Sequence, residues 1–153
     1  MRTLWIAVAG VALAACGGDD GTTDEVDCTK VTGADTFTVG LDKVGTSGAM
    51  DFKLMNATPA PPARGDNTWT VQISTMASGV VGAPIDGAML QVTPFMPAHQ
   101  HGSPIQVQIT PGTTAGEYNL EPVNLWMPGV WETTIRATSS TTTDTAVYKF
   151  CIE

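Results

Sequence analysis

The only two histidines of the chain, His99 and His101, lie two residues apart in the proline-rich segment TPFMPAHQHGSPIQV. On an extended segment, side chains at i and i+2 share a face about 6.5–7 Å apart, so both imidazoles can reach one ion. Met96 adds a thioether, a soft ligand suited to Cu(I), and imidazole suits copper and zinc. The segment carries no carboxylate, which argues against calcium or magnesium.

A second Met-Pro pair stands at Met127 in the sequence LWMPGVW. If the two Met-Pro loops meet at one end of the fold, Met96, His99, His101 and Met127 form a mixed nitrogen and sulfur site, with copper as the expected metal. Two other interpretations stay open. The histidines are incidental and the methionines fill irregular ends of the core, or the histidine pair senses pH.

Catalysis is not indicated by these residues. A nucleophilic Ser or Cys needs a base and an orienting group within reach, but both histidines flank one glutamine, and no nucleophile elbow or paired-carboxylate motif is visible. We therefore expect a protein that is not an enzyme. Trp69 and Trp131 lie on the apolar sides of their segments and are expected in the core, whereas Trp126 could border the proposed site.

The elements that must position these residues are β-strands, because apolar and polar residues alternate with a period of two and no helical period is convincing. The predicted strands centre on eight segments, which are Thr36–Val39, Met50–Leu54, Asn67–Thr75, Ala88–Thr93, Ile105–Thr110, Glu117–Leu125, Trp131–Arg136 and Ala146–Ile152. Glycine, proline and threonine turns separate them. This pattern predicts an all-β fold, an antiparallel immunoglobulin-like β-sandwich of about 7–8 strands.

The N-terminal residues are typical of an export signal. Arg2 is followed by the apolar run LWIAVAGVAL, which is too short to span a bilayer, and then by Leu-Ala-Ala-Cys, which resembles a bacterial lipobox. We expect a signal peptide at 1–15, lipid on Cys16, a disordered acidic tether at 16–27 and one domain at 28–153. The alternatives are an ordinary signal peptide and a first strand within the acidic segment.

Cys28 and Cys151 lie at the two ends of the predicted domain. In an oxidising compartment they are expected to form a disulfide. Closing a loop of this length stabilises a fold by about 4–5 kcal/mol in the chain-entropy model. The alternative, two thiols that bind a soft metal, is disfavoured by their wide separation.

Seven basic and fifteen acidic side chains give a formal net charge of −8. Such a surface repels phosphate backbones, so nucleic acid is not an expected partner. The expected associations are with the membrane, through the lipid, and with an envelope protein.

The order of motifs resembles the YtkA-like family of exported bacterial domains. The matching residues are Met96-Pro97, His99, His101-Gly102, Gly116-Glu117-Tyr118 and Met127-Pro128-Gly129-Val130-Trp131, within 51–138. The resemblance implies a β-sandwich fold, and it implies that the family is similar to exported copper-handling domains.

Together these features predict an outer-membrane lipoprotein facing the periplasm that captures or hands over a transition metal, copper above all. The rival hypothesis is a structural or protein-interaction module of the cell envelope that binds no metal.

Overall fold

The computed structural model describes residues 26–153, so the predicted signal peptide, the predicted lipidation site Cys16 and most of the predicted tether lie outside the described residues. After a 3₁₀ turn at Cys28–Lys30, the chain forms ten strands. These are Leu41–Val44 (β1), Met50–Thr58 (β2), Gly65–Ala77 (β3), Val80–Pro84 (β4), Met89–Met96 (β5), His101–Gly102 (β6), Gln108–Pro111 (β7), Glu117–Leu125 (β8), Gly129–Ser139 (β9) and Thr142–Ile152 (β10). No helix among residues 26–153 has the length and apolar character needed to cross a membrane.

The strands form two antiparallel sheets. One has the order β1-β2-β3-β8-β7, with β4 also paired to β3, and the other has the order β10-β9-β5-β6. Trp69 of the first sheet meets Tyr148 and Phe150 of the second edge to face, with ring centroids 6.1 and 5.6 Å away. The Tyr148 hydroxyl also donates to the carbonyl of Phe52, 2.8 Å away, across the two sheets. The predicted all-β sandwich is therefore confirmed.

The core is formed by the side chains that the period-two alternation of the sequence predicts to point inward. Residues with odd numbers in β3 and β9 and even numbers in β10 point inward and are buried, among them Trp69, Ile73, Trp131, Ile135 and Ile152. At about 25 cal/mol per Å² of apolar surface, these side chains supply most of the driving force for closing the two sheets.

Two predicted strands differ from the structure. Thr36–Val39 is not a strand: Val39 is 71% exposed, and the preceding residue, Asp35, holds the segment by accepting from the backbone N–H of Lys149. The strand predicted at Ile105–Thr110 begins only at Gln108. Ile105 is 43% exposed because this part of the chain crosses from one sheet to the other.

The predicted Cys28–Cys151 disulfide is present, with Cα atoms 5.6 Å apart and a sequence separation of 123 residues. It joins the 3₁₀ turn to the end of β10. Since both sulfurs are consumed by this bond, the alternative reading of the two cysteines as metal ligands is wrong.

A buried carboxylate closes the opposite end of the sandwich. Asp144 at the start of β10 is 2% exposed, and its two oxygens accept the backbone N–H groups of Ser47, Ala49, Met50 and Thr145 at 2.8–3.0 Å. Burial by itself would raise the pKa of Asp144, but these hydrogen bonds outweigh it and lower the pKa from 3.8 to about 2. The carboxylate therefore ties the β1–β2 turn to β10.

We expect Asp144→Asn to lower the free energy of unfolding at neutral pH by about 2 kcal/mol, because the charged acceptor is lost and an amide N–H₂ meets backbone donors. A folded-state pKa below the ordinary value means that this stabilisation is fully present above about pH 4 and disappears as the pH falls toward 2. Urea unfolding of both proteins across this range measures the difference. Glu121→Gln, at an exposed position, is the control and should change little. A constant gap between Asp144→Asn and the parent down to pH 2 would contradict the assignment.

Candidate functional site

The segment from Met96 to His101, called the histidine turn below, forms the tight turn that joins β5 to the short strand β6. Met96 pairs with His101 and Phe95 with Gly102, and the turn between them is closed by His99 N–H donating to Met96 O at 3.2 Å. Gln100 adopts a left-handed conformation with φ 55°. The expectation of an extended segment is therefore wrong: His99 lies at the exposed tip of a turn, and His101 alone lies on a strand.

The two imidazoles nevertheless lie close together. Their ring centroids are 5.8 Å apart, with a 54° angle between the planes. His101 stacks on Trp126 at 5.2 Å and 25°, and meets Trp131 edge to face at 6.1 Å. One indole thus covers a face of the His101 ring and a second contacts it from another direction, while His99 remains open to solvent.

A backbone contact orients the half-buried ring of His101. Its Nδ1 lies 3.2 Å from the carbonyl oxygen of Gly102, which favours a proton on Nδ1 that is donated to this carbonyl. In that tautomer Nε2 keeps its lone pair. A carbonyl that fixes the second ring nitrogen is the usual partner of a metal-binding imidazole.

The loop that carries Trp126 and Met127 is held from two sides. The carbonyl of Trp126 accepts from Arg64 Nε at 3.0 Å, and the carbonyl of Met127 accepts from Trp131 Nε1 at 2.9 Å. Both bonds fix the backbone next to the stacked rings. Arg64 lies 62 residues before Trp126 in the chain, and nothing in the sequence around Arg64 indicates that it holds this loop.

The two Met-Pro segments meet at this end of the sandwich. Met96 is 0% exposed, and its methyl group lies so close to Gly129 that a Cβ there would overlap it. Met127, two residues before Gly129, is half-buried and packs against the core. The structure thus brings Met96, His99, His101 and Met127 to one rim, with Met96 inside, His99 outside and the other two between them.

The sequence indicates Trp126 only as a residue that could border the site, whereas in the structure its indole stacks on the ring of His101. It is 40% exposed, unlike Trp69 and Trp131, which are buried. Within residues 26–153, no group of three or more His, Cys, Asp and Glu side chains could hold a metal ion. A metal at this rim would accordingly need methionine sulfur beside the two imidazoles.

The YtkA-like family model matches residues 45–136, which include the histidine turn, the Trp126–Met127 loop and most of β9. No curated protein and no solved structure matches the chain.

We expect Gly129→Ala to lower the free energy of unfolding by about 2–4 kcal/mol, since the added methyl overlaps Met96 and the φ of 131° strains a residue with a side chain. Urea unfolding measures this cost. Gly48→Ala is the matched control, because φ is also positive there and nothing lies within 4 Å of the new methyl. Because Met96→Ala itself leaves a cavity in the core, the informative result is non-additivity: the double variant Met96→Ala with Gly129→Ala should lose less stability than the sum of the two single variants. Equal costs at the two glycines would contradict the close packing of Met96.

Proposed function

The chain belongs to the YtkA-like family, and from the geometry of its histidine turn we propose that it binds a transition metal, copper above all, and captures or hands over the ion without catalysing a reaction. The observation that carries this proposal is the pair of imidazoles with ring centroids 5.8 Å apart, one of them oriented by a backbone carbonyl, at the end of the sandwich that also carries the two Met-Pro segments.

The donor set fits a soft ion. Neutral imidazole and thioether are ligands that suit Cu(I), and the turn from Met96 to His101 holds no carboxylate that would favour a hard cation. Met96 and His101 are directly paired across β5 and β6, so their side chains share the core-facing side of the sheet with Cβ atoms about 4.5–5.5 Å apart. Met127, on the neighbouring loop, is half-buried and is the second thioether of the proposed donor set.

The surroundings fit capture and release better than a closed structural site. His99 at the exposed tip is the first donor that an ion from solvent would meet, and His101, between two indoles, is the second. The stacked Trp126 excludes water from one face of His101 and restricts its rotation. A turn stiffened by Pro97 and by two backbone hydrogen bonds loses little entropy when it binds.

We further propose that this domain is exported and anchored by a lipid on Cys16 at the outer membrane, on the periplasmic side. The support is the apolar run and the Leu-Ala-Ala-Cys sequence before residue 17, together with a disulfide that persists in an oxidising compartment. The rival hypothesis, an envelope interaction module in which the histidines bind nothing, differs in one measurable property, the affinity for copper.

Competition titration with a Cu(I) chelator measures that affinity. The protein is the exported chain from residue 16 onward with Cys16→Ser, which keeps it soluble and removes a thiolate that would bind copper. We expect stoichiometric uptake that His99→Ala with His101→Ala abolishes. Met96→Leu and Met127→Leu, which conserve volume, should each weaken binding by about tenfold or more.

Gln100→Asn is the matched control for this titration, because it changes the residue between the two histidines and keeps a type that tolerates the left-handed conformation. It should bind copper like the parent. Uptake that survives loss of both histidines, or no uptake by the parent, would reject the metal hypothesis and leave the interaction module.

The anchor has its own test. In cells labelled with a palmitate analogue, the parent chain should carry the label and sediment with the outer membrane, because an acyl-modified Cys16 holds it there. Cys16→Ser should be unlabelled and soluble in the periplasm. A labelled Cys16→Ser protein, or an unlabelled parent, would contradict the lipobox assignment.

A further inference from the structure

We propose that the open edge of β5 is a docking site for an extended peptide segment of another envelope protein, which adds to the sheet as a further strand and places apolar side chains between the two sheets. This inference does not rest on metal binding, because it uses none of the four proposed metal ligands; only the location of the partner rests on the export proposed above.

The first observation is a row of backbone groups without a strand beside them. On one side β5 pairs with β9 from Met89 to Phe95, but on the other side β6 reaches only Phe95 and Met96. The carbonyl of Pro94 accepts from Ser103 N–H on the β6 side. Since backbone groups alternate in direction along a strand, those of Val92 and Leu90 point to this side too. Within residues 26–153 no strand pairs with them there.

The second observation is that the inner face of the same stretch is incompletely covered. Leu90 and Val92 pair with the buried residues Ala137 and Ile135, so they face the opposite sheet, yet both are only half-buried. They form one wall of a groove of about 350 Å³, and Val107 and Ile109 lie on its other side. A strand added to β5 would place every second side chain into this groove.

The charges in and around the groove indicate which kind of peptide it fits. No residue that lines the groove is charged, although the chain carries a net charge of −8. A charged side chain entering the groove would lose its hydration without gaining a partner. On the outer face, Arg136 lies beside Gln91, is exposed and forms no ion pair with the described residues. The groove therefore fits a strand with apolar residues inward and an acidic residue outward.

The boundaries of the groove favour a single extended chain over a folded copy of this domain. Residues 102–107 leave β6, cross to the other sheet and bound the groove opposite β5. An edge strand of a second folded domain would bring its own neighbouring strand against this crossing segment. A peptide has no such neighbour and can lie between β5 and the crossing segment.

The probe is the peptide acetyl-Ser-Val-Glu-Val-Thr-Val-Ser-amide, which has valines on one face and an acidic residue on the other. It is added to the ¹⁵N-labelled exported chain with Cys16→Ser, and amide signals are followed by NMR. We expect the signals of Leu90 and Val92 to shift more than those of Gln91 and Thr93, whose N–H groups point to β9. Absence of shifts at Leu90 and Val92 up to about 1 mM peptide would overturn the proposal.

Two variants separate groove binding from contact with the outer face. Val92→Lys places a charge in the groove and should weaken binding by about tenfold or more, as inward charges do at protected sheet edges. Thr93→Lys places the same charge on the outer face of the next residue, where it lies on the side of the peptide glutamate, and should not weaken binding. Circular dichroism and thermal unfolding show whether both variants are folded. Equal losses in the two variants would overturn the proposal.

Variants of the peptide give a test that does not depend on the folding of the protein. N-methylation of the three valine amides, or of the Glu and Thr amides, removes donors from one edge of the peptide at a time. Addition to a single strand predicts that only one of the two sets abolishes binding. If both or neither do so, or if sedimentation shows a dimer without peptide whose Leu90 and Val92 amides are protected from exchange, the peptide proposal is wrong.

Discussion

The short pairing between β5 and β6 is the constraint on which both the placement of the two histidines and the open edge of β5 depend. Only two residues of β5 are paired on that side, because the chain turns at Pro97–Gln100 and leaves the sheet after Gly102. That brief ladder fixes His101 opposite Met96 on the core-facing side. The same brevity leaves the rest of the β5 edge unpaired. A longer β6 would bury the groove, and a slip of one residue would turn His101 away from Trp126.

The end of the sandwich that carries the two histidines is held in place by residues that are distant in the chain. Arg64 and Trp131 donate to the backbone of the loop at Trp126–Met127, and Met96 packs without space against Gly129. At the other end, Asp144 gathers backbone donors of the β1–β2 turn. The sandwich is thus closed at one end by the buried carboxylate of Asp144 and at the other by aromatic and thioether packing around His101.

Much of the fold could be predicted from the sequence because burial in a sandwich follows a period of two. The alternation through Trp69, Val71 and Ile73 correctly predicted β3, and β8 has the same bounds as the predicted strand, Glu117–Leu125. Two predicted strands failed where apolar residues are exposed, at Val39 before β1 and at Ile105 on the crossing segment. The short strands β1, β4 and β6 were not predicted, because they show too few residues or too little burial for an alternation to be visible. The stacking of His101 on Trp126 could not be predicted, since it depends on the relative placement of two loops that are 25 residues apart in the chain. The left-handed Gln100 changed the turn but still left the rings near each other.

The crosslink has a consequence for where the imidazoles can work. Cys151 pairs with Val130, next to Gly129, so the disulfide and the histidine turn share one end of the sandwich. An anchor attached to the chain before Cys28 is therefore connected to this end of the sandwich. If Cys16 carries the proposed acyl chain, the twelve residues from there to Cys28 span at most about 40 Å, which limits how far this end of the sandwich can lie from the bilayer.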